Sequence, residues 1–423
     1  MSRRDADVIV IGAGAIGAAL ALALARDGFD VAVVEARAPK PWHRESEIDA
    51  RVVALAADAR ELLADLGVWT SIAGARIGPY RHMRVWDARA PGELAFDAAE
   101  RGEAALGWIV ESALIQHVLW QGLGEVGADV SNDRADTVRE LRYATRGASR
   151  ARTGERGRVR VHCPATVAEF EQQRDGVAVT LADGTHLRAR VLIAAEGADS
   201  ALRERLGIAF AGRDYAQRAV VAHVTTERVH ENTAWQRFLP GGPLAFLPLG
   251  DARSSIVWSL PESEAARVLA LDDAAFRNEL GCAFDFRLGA ITAATARLSF
   301  PLRMRLADRY VSGRCVLAGD TAHVVHPLAG QGMNLGFRDV ACLRRVLRDA
   351  RERGSDIGAP HVLRRYERER CSENALAAYS LDGIERVFGA DSLMLAGLRG
   401  AALATTNAVR PIKDLLQRIA AGG

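Results

Sequence analysis

The residues best suited to chemistry lie between Gly313 and Gly336, in the run GRCVLAGDTAHVVHPLAGQGMNLG. Cys315 to Ala318 has the length and apolar character of a buried strand. Gly319-Asp320 makes a turn, His326-Pro327 closes an irregular loop, and a helix opens at Gly330-Gln331-Gly332. A carboxylate at a strand end, as at Asp320, is placed to accept hydrogen bonds from a polyol. A glycine-rich helix start leaves backbone N–H groups unpaired and carries the positive end of the helix dipole. Such an end favours an anion or a developing negative charge. A flavin presents both targets: a ribityl chain, and a pyrimidine edge that becomes negative on reduction.

A second segment supplies what a phosphate-bearing cofactor requires. Asp7 to Ile11 is an apolar strand, followed by Gly12-Ala13-Gly14-Ala15-Ile16-Gly17 and an alanine- and leucine-rich helix through Ala18 to Arg26. Gly28 stops that helix, and Val31 to Val34 forms a second strand ending in Glu35. This is the dinucleotide-binding fingerprint in its proper context of strand, helix and strand. Gly12, Gly14 and Gly17 allow a tight turn and close approach of a pyrophosphate, and Glu35 is placed to bond the adenosine ribose. By itself the fingerprint does not separate NAD from FAD. The long uncharged run Val8 to Ala25 behind Arg3-Arg4 would pass for a membrane span or signal sequence on hydropathy alone. Three glycines in six positions and a strand ending in Glu35 fit a nucleotide-binding unit better. A letter-for-letter G-x-G-x-x-G at Gly122 to Gly127 follows a helical pattern, Ala113 to Gln121, and so reads as a helix end and a turn.

The 313–336 run resembles the third flavin segment of the aromatic-ring hydroxylases of the p-hydroxybenzoate hydroxylase type. Its part His326 to Asn334 is similar in particular to the ubiquinone-biosynthesis hydroxylases of the UbiH, UbiF and UbiI/VisC group. The resemblance implies that Gly319 and Asp320 meet the ribityl hydroxyls of FAD. It also implies that Pro327, Gly330 and the backbone around Gly332, Met333 and Asn334 lie near the flavin N1/C2=O edge. Val191 to Ser200 resembles the family's "DG" segment, with Glu196 where an aspartate is usual. Ile48-Asp49-Ala50-Arg51-Val52-Val53-Ala54-Leu55 is similar to its D-x-R-x-x-A-L stretch, whose arginine reaches the FAD pyrophosphate, and a guanidinium fork suits phosphate oxygens. Leu106 to Glu111 resembles LG(Y/H)xVEN, with Ser112 in place of the asparagine, and Gln116 one turn further on is a candidate polar partner of the cofactor.

Composition sets the frame for these segments. The 423 residues can form two domains with substantial cores; hydrophobic residues make up 49% and charged residues 26%, ordinary for a globular chain. A net charge of +2 gives no sign of nucleic-acid binding. Five scattered cysteines, never in C-x-x-C, argue for reduced thiols in a cytoplasmic setting rather than a disulfide framework or zinc site. His323 and His326 lack acidic or thiol companions at ligand spacing and read as loop-packing residues, with no metal expected.

The expected fold class is α/β: a discontinuous Rossmann-type FAD-binding domain (1–76, 106–212 and 298–350) with an inserted mixed or antiparallel sheet (77–105 and 213–297). Helices follow from 351 to 423. Alternating strands such as Ala219 to Val224, Ser255 to Leu260 and Gly242 to Leu249 suit a sheet that roofs a pocket over the flavin. Their apolar character fits a hydrophobic aromatic substrate, although core packing explains any single residue equally well. His223 reads as a core histidine before a general base. Arg146, Arg150, Arg152, Arg156 and Arg158 among Gly, Ser and Thr read as a solvated loop. The segment Leu381 to Ile419 mixes apolar and basic residues as a buried helical pair would, or as a surface helix on anionic lipid at the inner face of a membrane would.

The resemblance implies a single-component flavin monooxygenase that uses NAD(P)H and O2 and hydroxylates an electron-rich phenol through a flavin C4a-hydroperoxide. It implies a polyprenylated phenol as substrate, and contact with other ubiquinone-biosynthesis proteins. Within the family, Phe246 to Leu249, Ser255 to Leu260, Phe286 to Gly289 and Arg364 to Arg368 are similar to the UbiI/VisC branch, which acts at ring carbon 5. Action at carbon 6 or 1, another aromatic substrate, or a flavin-dependent prenyl reductase are the alternatives.

Overall fold

A computed structural model describes residues 4–89, 91–125, 157–325 and 331–389. Pro327 and Gly330, the arginines from 146 to 156 and most of the 381–419 segment lie outside them.

The apolar run at the N-terminus forms the buried strand Val8–Ile11, and the alanine-rich stretch behind it becomes the helix Ala15–Arg26. Val8–Ile11 sits mid-sheet, parallel to Val31–Val34 on one side and to Val191–Ala194 on the other. Val159–His162 extends the sheet beyond Val31–Val34; Cys315–Leu317 extends it beyond Val191–Ala194, with Val311–Ser312 antiparallel at the edge. All residues of its four inner strands are buried, as expected where helices or other layers cover both faces. Segments far apart in sequence thus build one nucleotide-binding sheet, and the Val8 to Ala25 run is a strand and helix of this unit. No helix among the described residues is long and apolar enough to cross a membrane. Gly122 and Gly124 fall inside the helix Ser112–Glu125, which packs on Ala15–Arg26; a Cβ on Gly122 would stand 3.1 Å from Leu22 Cδ2.

A second, nine-stranded sheet is antiparallel except where Thr233–Leu239 pairs with His82–Asp87. The long strand Phe210–Thr226 lies between Leu298–Ala307 and Ser254–Pro261. One face is sealed by the helices Glu262–Ala270 and Asp273–Ala283 over Val220, Phe246, Ile256 and Trp258. On the other face, Ala219, Val221, Val257, Leu302 and Phe300 meet Ala50, just ahead of the strand Val52–Leu55. That contact turns the second face towards the nucleotide-binding unit. A three-stranded sheet, Val52–Leu55, Gly107–Glu111 and Gly78–Tyr80, lies beside this contact. The long helix Pro360–Gly389 packs against Gln331–Glu352 and reaches both units.

Candidate flavin site

The glycines at the ends of the central strands divide into two kinds. Gly12 has φ +89°, and a Cβ there would lie 2.5 Å from the carbonyl oxygen of Ala195; one on Gly17 would lie 1.9 Å from that of Gly12. These two are demanded by the protein's own packing. Gly14 and Gly332 differ, since a Cβ on either meets nothing within 4 Å. Both border open space. Gly14 is also the N-cap of the helix Ala15–Arg26, which has no side-chain cap, so its first amides are left for an external acceptor.

The peptide of Ala13, between those glycines, is held from three directions. Its N–H donates to Glu35 Oε2 at 2.6 Å, and its carbonyl accepts from Trp120 Nε1 at 2.6 Å and Gln116 Nε2 at 3.3 Å. Glu35 Oε1 also accepts from Arg37 N. Glu35 and Gln116 therefore both bond the backbone of this loop. Trp120 was not singled out from sequence, although its place one turn beyond Gln116 on the same helix face was the available signal.

The second site element is the turn Gly319–Thr321. Gly319 has φ +63° and donates its N–H to Asp339 Oδ2 at 2.9 Å. Asp339 is wholly buried in the helix Gln331–Glu352 and also accepts from His323 Nε2 (2.7 Å), Arg370 Nε (2.8 Å) and Asn374 Nδ2 (3.2 Å). Burial works to raise the Asp339 pKa, but His323 and Arg370 outweigh it and hold the carboxyl below its ordinary range. Arg370 bonds Glu373 and Asn374 as well, and Asn374 donates to the Tyr310 hydroxyl. Tyr366 donates its hydroxyl to the carbonyl of Leu317 at 2.8 Å. Two turns of the helix Pro360–Gly389 thus brace the strand and turn that carry Asp320. None of Asp339, Arg370, Asn374, Tyr310 and Tyr366 was found from sequence, and His323, read as loop packing, belongs to this buried network. Thr321 Oγ1 links the turn to Gly197 through its N–H (2.9 Å) and its carbonyl (3.1 Å).

Asp320 itself takes no hydrogen bond from this network. It is exposed and has no hydrogen-bond partner among the described residues. Solvent reaches the side chain, yet the protein packed around it raises its pKa by desolvation; His323 opposes this and the Asp339 charge adds to it. A carboxylate held in this way gains from hydroxyl donors that the chain does not supply.

The helix Gln331–Glu352 opens beside the turn. Met333 packs at the edge of the core. Asn334 is buried, donates Nδ2 to the carbonyl of Ala54 (2.8 Å) and accepts at Oδ1 from Ala56 N (3.0 Å). Its side chain clamps the helix start to the strand Val52–Leu55. A Cβ on Gly336 would meet Ile16 Cδ1 at 2.6 Å, so the helix start also lies against the fingerprint helix. Arg51 is exposed, its guanidinium 4.7 Å over the Phe300 ring, and no carboxylate pairs with it among the described residues. The segment before it is fixed by Glu111, which accepts from Asp49 N at 2.8 Å and pairs with Arg76. Glu196 is used locally: Oε2 accepts from Ser200 Oγ (2.5 Å) and Leu202 N (3.2 Å) and so secures the helix Ala201–Arg205. His223 is buried, its Nε2 donates to the carbonyl of Asp49 (3.1 Å), and burial lowers its pKa, the Asp49 carbonyl opposing, so the imidazole is neutral.

Open space at Gly14 and Gly332, an uncapped helix start, an unpaired carboxylate and an unpaired guanidinium fit a dinucleotide that carries a polyol. Comparison with known proteins gives the same answer. The FAD binding domain family model matches residues 5–377. The chain is 34% identical over 382 residues to the Escherichia coli 3-demethoxyubiquinol 3-hydroxylase, with 90% of each chain covered. It is 34% identical to the Rhodospirillum rubrum ubiquinone hydroxylase UbiL, with 99% of this chain and 90% of that one covered. It is 33% identical to the human mitochondrial ubiquinone biosynthesis monooxygenase COQ6, with 98% and 92% covered. The chain belongs to the FAD-dependent hydroxylases of the UbiH, UbiF and UbiI group.

Solved structures carry the fold of this hydroxylase. The p-nitrophenol 4-monooxygenase PnpA of Pseudomonas putida aligns with TM-score 0.72 at 16% identity, over 97% of this chain and 96% of that one. A single-residue variant of Klebsiella pneumoniae HpxO complexed with FAD aligns with TM-score 0.69 at 22% identity, over 98% and 99%. The fold is thus of mixed α/β architecture, and the FAD-dependent monooxygenase assignment rests on the hydroxylase relatives above.

Proposed function

We propose that this hydroxylase adds oxygen to the aromatic ring of a polyprenylated phenol on the route to ubiquinone, at ring carbon 5. The observation that carries the reading is the second sheet's face towards the nucleotide-binding unit, where Ala245, Leu247 and Val257 are only half-buried beside Val221 and Phe300. Half-buried apolar residues facing an FAD unit form a wall for an apolar ring and chain. The relatives that act in ubiquinone synthesis support the substrate class.

When bound, FAD supplies the redox chemistry, taking electrons from NAD(P)H and activating O2 for transfer to the ring. The chain's own residues bind and orient. In this reading Asp320 accepts from the ribityl hydroxyls, Arg51 serves the pyrophosphate and Glu35 the adenosine ribose, while Gly14 and Gly332 leave room for close approach. The first amides of Gln331–Glu352 stabilise negative charge at the flavin edge without a titrating side chain. Residues 77–105 and 213–297 form the substrate unit, and 1–76, 106–212 and 298–350 the cofactor unit. A lipid-borne substrate makes contact of the C-terminal segment with a membrane surface useful.

Quinone intermediates from a deletion strain test the proposal. A polyprenylphenol with no added ring oxygen should accumulate. A methoxylated demethyl-quinone instead would move the enzyme to a later hydroxylation. Unchanged quinone levels, with no redundant homologue present, would remove ubiquinone synthesis from the account.

A further inference from the structure

Gln236 stands on the substrate-side face of the second sheet, where Ser255 Oγ and His223 Nδ1 are also buried without a hydrogen-bond partner among the described residues. Register there pairs Val85 with Gln236, Gln236 with Ala245, Ala245 with Val257, Val257 with Val221 and Val221 with Leu298. The row is apolar except for Gln236. Strand alternation fixes its direction: Phe246, next to Ala245, packs under the covering helices, and Trp235, next to Gln236, packs against that same core. Gln236 therefore points to the opposite side. It is 9% exposed, and its side-chain amide makes no hydrogen bond to any described residue. At one end of the row Leu381 packs with Val85 and Phe238; towards the other, Phe300 lies under Arg51. Between them Ala245 and Val257 remain half-buried. An amide that makes no bond within the chain adds little to stability, and an apolar side chain of similar size would fit the row as well for stability alone.

We propose that Gln236 is a specificity-determining residue that binds the ring oxygen of the substrate, an inference that rests on the prenylated-phenol reading. A carboxamide offers an acceptor oxygen for the phenol O–H and an N–H donor for the phenol's lone pair. It does so without taking the proton, so the phenol is held in its neutral form. His223, on the same face, donates Nε2–H to the Asp49 carbonyl and keeps Nδ1 as an acceptor only, so it can take a phenol O–H but cannot donate to the phenol oxygen as a carboxamide can. The amide thus fixes which way the ring lies in an apolar trough that would otherwise accept it in several orientations.

The test uses full-length, FAD-loaded wild type and Gln236→Leu, titrated with a short-chain 2-prenylphenol and with the matching prenylbenzene, followed by perturbation of flavin absorbance. Wild type should prefer the phenol by about tenfold, one hydrogen bond's worth. Gln236→Leu should lose that preference while its FAD content stays unchanged and its thermal midpoint stays equal or rises, which a merely structural glutamine would not allow. A variant that keeps the wild-type preference overturns the assignment, as does one that loses FAD or thermal stability. Equal binding of both probes by wild type also overturns it, yet leaves an apolar aromatic substrate in place. Binding of neither probe by wild type overturns the substrate reading and this inference with it.

Discussion

Asp339→Ala is expected to destabilise the protein by about 3–5 kcal/mol, because it leaves the Arg370 guanidinium buried without its carboxylate. Arg370 is 2% exposed and Asp339 0%, so water does not replace the lost partner. The same change frees the N–H of Gly319, and FAD retention should fall with stability. Thermal unfolding measured with and without added FAD checks both effects. The pair Asp339→Leu with Arg370→Met should recover much of the stability, since apolar residues of similar volume remove both buried charges. It should not recover FAD retention, because Gly319 still lacks its acceptor. Since the folded-state pKa of Asp339 is depressed, its contribution is fully present above the unfolded carboxylate value of about 3.9 and is lost as pH falls below that. A wild-type thermal midpoint in Asp339→Ala would show that the network is ornamental.

Asp320→Ala should yield largely apo-protein, the affinity for FAD falling about ten- to a hundredfold, which corresponds to roughly 1.5–3 kcal/mol for a charge-assisted hydrogen bond. Stability should change little, because Asp320 has no partner among the described residues. Its raised pKa adds a pH signature. Hydroxyl donors favour the ionised carboxylate, so the FAD-bound pKa lies below that of the FAD-free chain. Affinity is then constant above the FAD-free pKa and falls as pH drops through it. Asp320→Asn should flatten that slope. Wild-type flavin absorbance and affinity in Asp320→Ala would place the ribityl chain elsewhere.

The parts of this site legible in the sequence are those written contiguously. The strand before Gly12, the helix after Gly17 and the acid at Glu35 follow one another, and their spacing carries the geometry. The run from Cys315 to Gly336 does the same for Asp320 and the helix start. The buried network around Asp339 was not legible, because its partners stand 16 residues before it and 31 and 35 after it. Within Gln331–Glu352 an aspartate looks like any solvated helix position, and only tertiary packing buries it. Gln236 escaped for the converse reason, since a Gln beside Arg237 in a strand reads as part of a solvated stretch, and only the register shows it facing the substrate side. Glu196 and Gln116 were picked out as cofactor partners by place in the family pattern. In the folded chain each also bonds protein, Glu196 to Ser200 and Leu202 and Gln116 to the Ala13 carbonyl, contacts that only the tertiary structure reveals. The arginine-rich loop and the segment beyond 389 lie outside the described residues.

The central claim, that bound FAD at this site puts oxygen from O2 onto a prenylated phenol ring, has one direct test. The FAD-loaded protein is supplied with NADH or NADPH, isotopically labelled O2 and a short-chain 2-prenylphenol, and the product is read by mass spectrometry. The account predicts a ring-hydroxylated product carrying one labelled oxygen atom, its amount tracking reductant consumed. Consumption of reductant with no ring-hydroxylated product, or a product whose new oxygen is unlabelled, would contradict it.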